Sequence, residues 1–231
     1  MARDFMTAGD VAHVWHGRRV LRVLVSSTVY NKEDFLERVY CLLSGLGYDV
    51  EMSYAGTLGV DSEKTAYDNC LAAVERCDLF LGIITTDYGS GIVPPSGISI
   101  THAEILKAIE LQKPRWMLVD SRVPFMRNWL KAIGVVGRTQ RRAFASNFPK
   151  CKGAKVKSPL EIGKHAFDLR TIDMYEDAIR DLEKPNTVKL EERKGNWVQP
   201  YSDLSEIERF VIAQFGRFCD AYGTIKEFFH G

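Results

Sequence analysis

Short apolar runs alternate with longer amphipathic stretches along the first half of the chain. Continuous apolar segments rich in β-branched residues are typical of parallel strands buried on both faces, whereas apolar residues that recur every three or four positions indicate helices. Four strands are predicted, at residues 20–25, 48–52, 79–84 and 115–119. Strands separated by helices in this order favour an α/β fold, with a parallel sheet wound by right-handed crossovers.

Three helices are predicted between these strands. The first spans residues 33–46, and the second begins at Asp61 or Ser62, since either residue can act as an N-cap. The third spans residues 102–112 and follows a loop at residues 86–99 that is rich in Gly, Pro and Ser. The second helix places its small residues on one face, which we expect to be buried: Ala66, Cys70, Ala73, Val74 and Cys77.

The second half of the chain has a less regular pattern. A helix over residues 126–133 precedes a predicted loop over residues 134–159. Two further helices begin at Thr171, reaching residue 184, and at Asp203 or Ser205. The last helix carries an apolar stripe, which is more typical of core than of a cofactor site. The pattern divides the chain into an α/β core at 1–121, a basic loop-rich insertion at 122–164 and a helical C-terminal extension at 165–231 that packs on the core.

Composition places the 231-residue chain among globular proteins, because 45% of its residues are hydrophobic and 26% are charged. The five cysteines lack the close pairing of a disulfide framework. Neither CxxC nor HExxH occurs, so no zinc site is expected. The chain has no signal-peptide core and no apolar stretch long enough to span a membrane, which predicts a cytoplasmic protein without membrane contact.

The net charge of +1 is the sum of two parts of the chain that have opposite charge. Residues 122–164 contain eleven basic residues and one acidic residue, a net charge of +10, which leaves −9 for the remainder. Such a segment can solvate a loop, dock onto an acidic partner or onto the protein's own acidic surface, or contact the pyrophosphate of a dinucleotide. It can also bind nucleic acid, for which residues 138–157 are the predicted contact. The sequence leaves these alternatives open.

Polar residues cluster at one predicted edge of the sheet. Ligands of parallel α/β sheets bind at the carboxyl ends of the strands, so we predict that the polar residues following strands one and three, or beginning the third helix, contact a substrate. They are Ser26, Ser27, Thr28, Thr86, Tyr88, Ser99 and Thr101. The three residues after strand one offer hydroxyl and backbone N–H donors to a phosphate or ribose, and Tyr88 offers a ring that can stack on a base.

Several of these residues also have an explanation that needs no ligand. The three polar residues after strand one can cap the following helix or form a turn. The ring of Tyr88 can fill the space enclosed by the loop. The segment from Thr101 to Glu104 matches a capping box, in which the glutamate accepts the N–H of the cap residue.

Three sequence blocks resemble an uncharacterised domain family that is found at the N-terminus of STAND-type immune ATPases. The blocks are VLVSSTVYNKEDFLER, CLAAVERCDLFLGIITTDYG and GISITHAEILKAIELQKP. The family is similar in fold to TIR domains and nucleoside 2-deoxyribosyltransferases, which implies a flavodoxin-like sheet. Two motifs depart from the family pattern: Glu51-Met52 reverses the usual Met-Glu, and TDYG at residues 86–89 replaces Gly-x-Arg-Tyr-Gly. The missing Arg removes one expected phosphate contact.

The resemblance implies cleavage or transfer of an N-glycosidic bond, because both related enzyme classes act on that bond with a glutamate carried by a helix. The matching residue is Glu104, in the segment AEILKA. A carboxylate held against the anomeric carbon stabilises an oxocarbenium-like transition state or traps the sugar covalently. A neutral leaving base also needs a proton, for which the carboxyl group of Asp87 is the candidate. The cationic nicotinamide of NAD needs none, so NAD is favoured.

The resemblance further implies a role in bacterial anti-phage defence, with an activity that a protein partner regulates and with assembly into a homo-oligomer. NAD or a related nucleotide would be the substrate, and no cofactor or metal is expected. The alternative is a non-catalytic module. Such a module would bind a protein or nucleic acid through the basic segment, or sense a nucleotide without turnover.

Overall fold

A five-stranded parallel sheet forms the centre of the structure, a computed structural model that describes residues 14–15, 18–28, 33–89, 91, 97–147, 161–162, 167–179 and 197–216. The strands are β1 (Arg22–Ser27), β2 (Asp49–Glu51), β3 (Leu79–Ile84), β4 (Arg115–Asp120) and β5 (Val198–Tyr201). Their order across the sheet is β2-β1-β3-β4-β5, and every neighbouring pair is parallel. This order is flavodoxin-like, so the predicted fold class is confirmed.

Helices cover both faces of the sheet. Those in the described ranges are α1 (Glu33–Gly45), α2 (Ala66–Arg76), α3 (Ile100–Glu110), α4 (Arg122–Ala132), α5 (Arg138–Asn147), α6 (Arg170–Ile179) and α7 (Leu204–Phe215). Helices α2 to α6 pack on one face, against Phe80 and Met117, and α1 and α7 cover the other face, against Leu81 and Leu118. Successive residues of a strand point to opposite faces, so β3 is buried along its whole length and reads as a continuous apolar run.

Two small antiparallel pairs lie outside this sheet. Val14–Trp15 pairs with Arg18–Arg19, and Glu161–Ile162 pairs with Phe167–Asp168. No helix within the described ranges is long and apolar enough to cross a membrane.

The sequence pattern did not predict the fifth strand. Residues of β5 pair in parallel with β4, from Met117 opposite Val198 to Asp120 opposite Tyr201. Only Tyr201 is buried in this strand. A proline is tolerated at a sheet edge, where its missing N–H costs no hydrogen bond, and Pro200 interrupts the apolar run that would mark a central strand. The C-terminal part of the chain therefore contributes a strand to the sheet itself, in addition to helices.

Helix α2 begins later than predicted. Its N-cap is Thr65, whose hydroxyl accepts from the backbone N–H of Asp68 at 3.1 Å. The expectation that Asp61 or Ser62 caps the helix is wrong, because this segment forms a separate turn: the backbone N–H of Asp61 donates to Asn69 Oδ1 at 2.8 Å. Short polar side chains are equally suited to turns and to helix caps. Which of these residues caps α2 is therefore decided by how the helix packs. The cap predicted at Asp203 for α7 is confirmed.

Helix α5 lies within residues 134–159, which the sequence pattern predicted to be a loop. Its buried residues are Arg141 and Ala145, so its inner face shows little apolar periodicity. Gln140 closes its first turn by accepting from the backbone N–H groups of Val136 and Gly137. The basic segment is thus more helical than expected. Residues 148–159, and the predicted end of α6 near residue 184, lie outside the described residues.

Acidic residues of α6 pair with the basic residues of α4 and α5. Arg127 Nε lies 2.9 Å from Glu176 Oε1, and Arg141 donates to both Asp173 and Glu176, the latter at 2.8 Å. Arg138 pairs with Asp177 in the same way. The interpretation that the basic segment faces the protein's own acidic surface therefore holds for these three arginines. The second half of the predicted nucleic-acid contact, residues 148–157, lies outside the described residues.

Candidate active site

A cleft of about 450 Å³ opens at the carboxyl edge of the sheet. It is lined by the end of β1, the segment after β2, the first half of α2 and the beginning of α3. The polar and aromatic residues of this lining are Ser26, Ser27, Thr28, Ser53, Tyr54, Cys70, Thr101 and Glu104. Its position follows the rule for ligand sites in parallel sheets, and its volume falls within the usual range of roughly 300–1,000 Å³ for small-molecule sites.

Glu104 is buried in this cleft, with 7% of its surface exposed. The N-cap of α3 is Ser99, whose hydroxyl accepts from the backbone N–H of His102. Glu104 therefore lies in the second turn of the helix, and the alternative that Thr101 and Glu104 form a capping box is wrong. Instead, Ser26 Oγ donates to Glu104 Oε2 at 2.5 Å. A bond of this length is typical of a hydroxyl that donates to a carboxylate.

Burial raises the pKa of Glu104 to about 7, although hydrogen bonds from Ser26 and Cys70 act in the opposite direction. Near neutral pH the side chain is therefore divided between an ionised form, which can act as a nucleophile, and a protonated form, which can act as an acid. Burial, together with the charge of Glu104, raises the pKa of Cys70 to about 12. The thiol thus stays protonated and acts as a donor to the carboxylate.

The position of Cys70 in the cleft was not predicted from the sequence. Its helical spacing correctly placed Cys70 on the inner face of α2, but as a small core residue. It meets Glu104 because α2 and α3 pack side by side. Tyr54, which follows the second strand, was not among the residues predicted to contact a ligand. With 44% of its surface exposed, Tyr54 is the aromatic residue in the described lining of the cleft.

Three other predicted site residues also line the cleft. The hydroxyl of Ser27 is buried and has no hydrogen-bond partner among the described residues. Thr101 Oγ1 donates to the carbonyl of Ser27 at 3.2 Å, which ties the start of α3 to the end of β1. Thr28 Oγ1 accepts from the backbone N–H of Thr85 and lies 2.8 Å from Thr85 Oγ1. Thr28 therefore joins β1 to the segment after β3.

Tyr88 lies outside this lining. It is buried, its hydroxyl is 2.7 Å from His102 Nδ1, and the guanidinium of Arg170 covers its ring at 4.5 Å. His102 Nε2 continues the chain of hydrogen bonds to Asp177 at 2.9 Å. These contacts occupy the hydroxyl and the ring, which was predicted to stack on a base, and they agree with the alternative in which Tyr88 fills the loop.

Thr86, Asp87 and Ser99 also lie outside the lining. The carbonyl of Thr86 accepts from the backbone N–H of Asp168, and Ser99 is fully buried as the cap of α3. The guanidinium of Arg122 donates a hydrogen bond to Asp120, which raises the pKa of Arg122. The charge of Asp87 adds to this rise. Asp87 therefore lies within electrostatic reach of Arg122, and it is not part of the lining that contains Glu104.

The raised pKa of Glu104 leads to a prediction about stability. A carboxyl group whose pKa is about 7 when folded and 4.5 in its ordinary state stabilises the fold below pH 4.5, and this contribution is lost as the pH rises through 7. The expected loss is about 3 kcal/mol. Glu104→Gln keeps a partner for Ser26 without this titration, so its free energy of unfolding should fall less between pH 5 and pH 8 in urea denaturation. Equal pH dependence in both proteins would contradict the assignment.

Comparison with known proteins gives few relatives. No curated protein matches the chain. Among solved structures, the chain is similar to a CMP N-glycosidase of Clostridium botulinum, BcmB, with 20% sequence identity and a TM-score of 0.30 over 43% of this chain and 69% of that one. Residues 22–133, which include every described residue that lines the Glu104 cleft, match the family described as "Domain of unknown function (DUF4062)".

Proposed function

We propose that the chain cleaves or transfers the N-glycosidic bond of a nucleotide, with Glu104 as the catalytic carboxylate. The observation that carries the proposal is a buried carboxylate on the wall of a ligand-sized cleft, held by Ser26 at 2.5 Å and poised by burial at a pKa of about 7. A structural role does not account for it, because Glu104 neither caps a helix nor forms an ion pair in the described part of the chain.

In the proposed reaction, the bond between the anomeric carbon and the base breaks, and its electron pair leaves with the base. The ionised carboxylate of Glu104 stabilises the positive charge on the sugar or adds to the anomeric carbon. Water, or a second acceptor, then takes the sugar and regenerates the carboxylate. Tyr54 at the cleft is the ring available to contact the base, and Ser27 and Thr101 are available to the ribose.

The number of acidic groups in the cleft supports NAD as the substrate. Among the described residues of the lining, Glu104 is the one carboxylate. A neutral base needs a proton from a second acid as it leaves, and Asp87 lies outside the lining. The nicotinamide of NAD is cationic in the substrate and leaves as a neutral molecule without a proton. On the family resemblance, we also place the activity in bacterial anti-phage defence under the control of a partner.

Base release by the purified chain tests this proposal. The protein is incubated with NAD, with nucleoside monophosphates and with nucleosides, and the free base is separated by chromatography. We expect nicotinamide from NAD in the wild type and not in Glu104→Gln. Equal release by the two proteins would exclude Glu104 as the catalytic group. No release from any substrate by the folded wild type would favour the binding module instead.

The hydrogen bond from Ser26 predicts a shift in the pH profile. Ser26 stabilises the ionised form of Glu104, so Ser26→Ala should raise its pKa and leave less carboxylate at neutral pH. A hydrogen bond to a charged group contributes about 1.5–3 kcal/mol. The acid limb of the pH–rate profile should therefore move up by about one pH unit, and activity should recover at higher pH. Ser53→Ala, in the same cleft, is the control and should leave the limb in place. An unmoved limb in Ser26→Ala would contradict the pairing.

One observation favours the alternative of an interaction module. Four large apolar side chains on α4 and the turn after it are exposed, from 45% for Trp129 to 68% for Phe125, with Ile133 and Val136 between. Exposed apolar patches of this kind often mark protein contacts. If binding through this surface is the main function, Trp129→Ser will abolish capture of the partner while the wild type shows no base release. A salt-dependent gel shift with RNA or DNA distinguishes a nucleic-acid partner.

A further inference from the structure

A second crevice opens at the carboxyl edge of the sheet, beside the ends of β4 and β5. It has a volume of about 310 Å³ and shares no lining residue with the Glu104 cleft. The beginnings of α4 and α7 border it, because both helices follow these strands directly. Its lining residues include Phe35, Asp120, Ser121, Arg122, Tyr201 and Ser202. Nothing in the proposed reaction uses this crevice.

Tyr201 provides the observation that points to a ligand. Its side chain is buried, with 5% of the residue exposed, and its hydroxyl has no hydrogen-bond partner among the described residues. Burial raises the pKa of Tyr201, the charge of Asp120 adds to the rise and Arg122 opposes it. The hydroxyl is therefore neutral and lies within electrostatic reach of two charged residues that line the crevice. Buried hydroxyls in native proteins almost always have a partner, so this one calls for a partner in the crevice.

The charges around the crevice select against an anion. Asp120 is already neutralised, since its carboxylate accepts from the backbone N–H of Arg122 and from the guanidinium at 2.8 and 2.5 Å. The N-terminus of α7 is also occupied, because Asp203 caps it and Glu206 accepts from the backbone N–H of Ser202. The described lining thus holds two carboxylates, of Asp120 and Asp203, and one guanidinium, of Arg122, while Glu206 outside it lies 4.0 Å from Arg209. A phosphate bound here would meet net negative charge.

The hydrogen-bonding groups of the crevice that remain available suit a ligand that carries hydroxyl groups. Ser121 Oγ and Ser202 Oγ lie 3.0 Å apart and form a second hydroxyl pair in the crevice. Ser121 makes no side-chain cap bond to α4, so its hydroxyl is available to a ligand. A ligand hydroxyl can donate to the carboxylate of Asp120 while it accepts from Tyr201, a combination that neither a phosphate nor an apolar group provides.

We propose that this second crevice binds a small, neutral, polyhydroxylated ligand of the size of a pentose. Tyr201 and Asp120 would hold one ligand hydroxyl between them, and Ser121 and Ser202 would bind another. A volume of about 310 Å³ is at the lower end of the range for ligand sites, which fits a single sugar ring. The assignment is independent of the chemistry proposed for Glu104.

Titration with D-ribose, followed by calorimetry and by the thermal midpoint of unfolding, tests the proposal. Wild type and Tyr40→Phe, a control that removes a hydroxyl from α1, should bind ribose saturably, whereas Tyr201→Phe should bind at least tenfold more weakly. Ribose should raise the unfolding midpoint of the wild type but not of Tyr201→Phe. Without ribose, Tyr201→Phe should be as stable as the wild type or more so, because it loses a buried hydroxyl without a partner.

Four results would overturn the site. Equal ribose affinity in wild type and Tyr201→Phe would remove Tyr201 from it. Tighter binding of ribose 5-phosphate than of ribose would contradict the preference for a neutral ligand. Loss of ribose binding in Glu104→Gln rather than in Tyr201→Phe would place the sugar in the first cleft. Absence of saturable binding would mean that the Tyr201 hydroxyl is satisfied by water alone.

Discussion

Replacement of Glu104 by Gln is expected to lower the rate of base release by about three orders of magnitude. The substitution preserves the shape of the side chain and a hydrogen bond with Ser26, but it removes the negative charge that the proposed reaction places against the anomeric carbon. Loss of a single electrostatic group in a preorganised site typically costs about 10²–10³ in rate, and loss of a nucleophile costs more. The measurement is the initial rate of base release from saturating substrate at pH 8, where wild-type Glu104 is ionised.

Glu110→Gln is the matched control for this experiment. Glu110 lies in the last turn of the same helix, is exposed, and has Lys107 3.5 Å away as its ion-pair partner. Its substitution should leave the rate within a factor of two, because an exposed ion pair contributes only about 0–1 kcal/mol to stability. Glu104→Ala serves as a second variant and also removes the Ser26 bond. A Glu104→Gln protein that keeps a tenth or more of the wild-type rate would show that another group does the chemistry.

The second large effect is expected at the buried ion pairs between Arg141 of α5 and the acidic residues of α6. Arg141→Met should lower the free energy of unfolding by about 3–5 kcal/mol, the usual cost of removing one member of a buried ion pair. Arg141 is 2% exposed and donates to both Asp173 and Glu176. Burial by itself would raise the pKa of Glu176, but the bonds from Arg141 and Arg127 hold it below its usual range. Without Arg141, these carboxylates lose their main compensating charge.

Urea denaturation of Arg141→Met and of the control Arg142→Met at pH 7 tests this prediction. Arg142 is the next residue of the same helix and is exposed, so its substitution should change the free energy of unfolding by no more than about 0.5 kcal/mol. Similar losses in the two variants would mean that the charge cluster is solvated and contributes little. A loss confined to Arg141→Met would confirm that α5 is held to α6 by these ion pairs.

Local pattern was enough to predict most of the sheet. Strands β1 to β4 were expected within two residues of their observed ends, because each is a buried run whose apolar side chains alternate between two faces. The same periodicity could not identify β5, in which Pro200 stands among half-buried residues at the sheet edge. It also missed α5, whose buried face contains an arginine in place of aliphatic residues.

The candidate site was predicted in part. The topological rule correctly brought Ser26, Ser27, Thr28, Thr101 and Glu104 to one edge. The rule selects an edge of the sheet and not a single cleft, so it also selected Thr86, Tyr88 and Ser99, which do not line the Glu104 cleft. The partnership of Ser26, Cys70 and Glu104 depends on how three separate elements pack, and no spacing in the sequence encodes a contact across 78 residues.

By itself, the sequence determined the α/β class, the succession of the first four strands along the chain and the division into acidic and basic parts. These features depend on local periodicity and on composition, which are visible along the chain. The tertiary structure alone decided that Glu104 accepts from Ser26 instead of capping its helix, that Tyr88 is enclosed by His102 and Arg170, and that three arginines are neutralised by α6. Those outcomes depend on which side chains meet when helices pack on a sheet, because charge and burial act between residues that are distant in sequence.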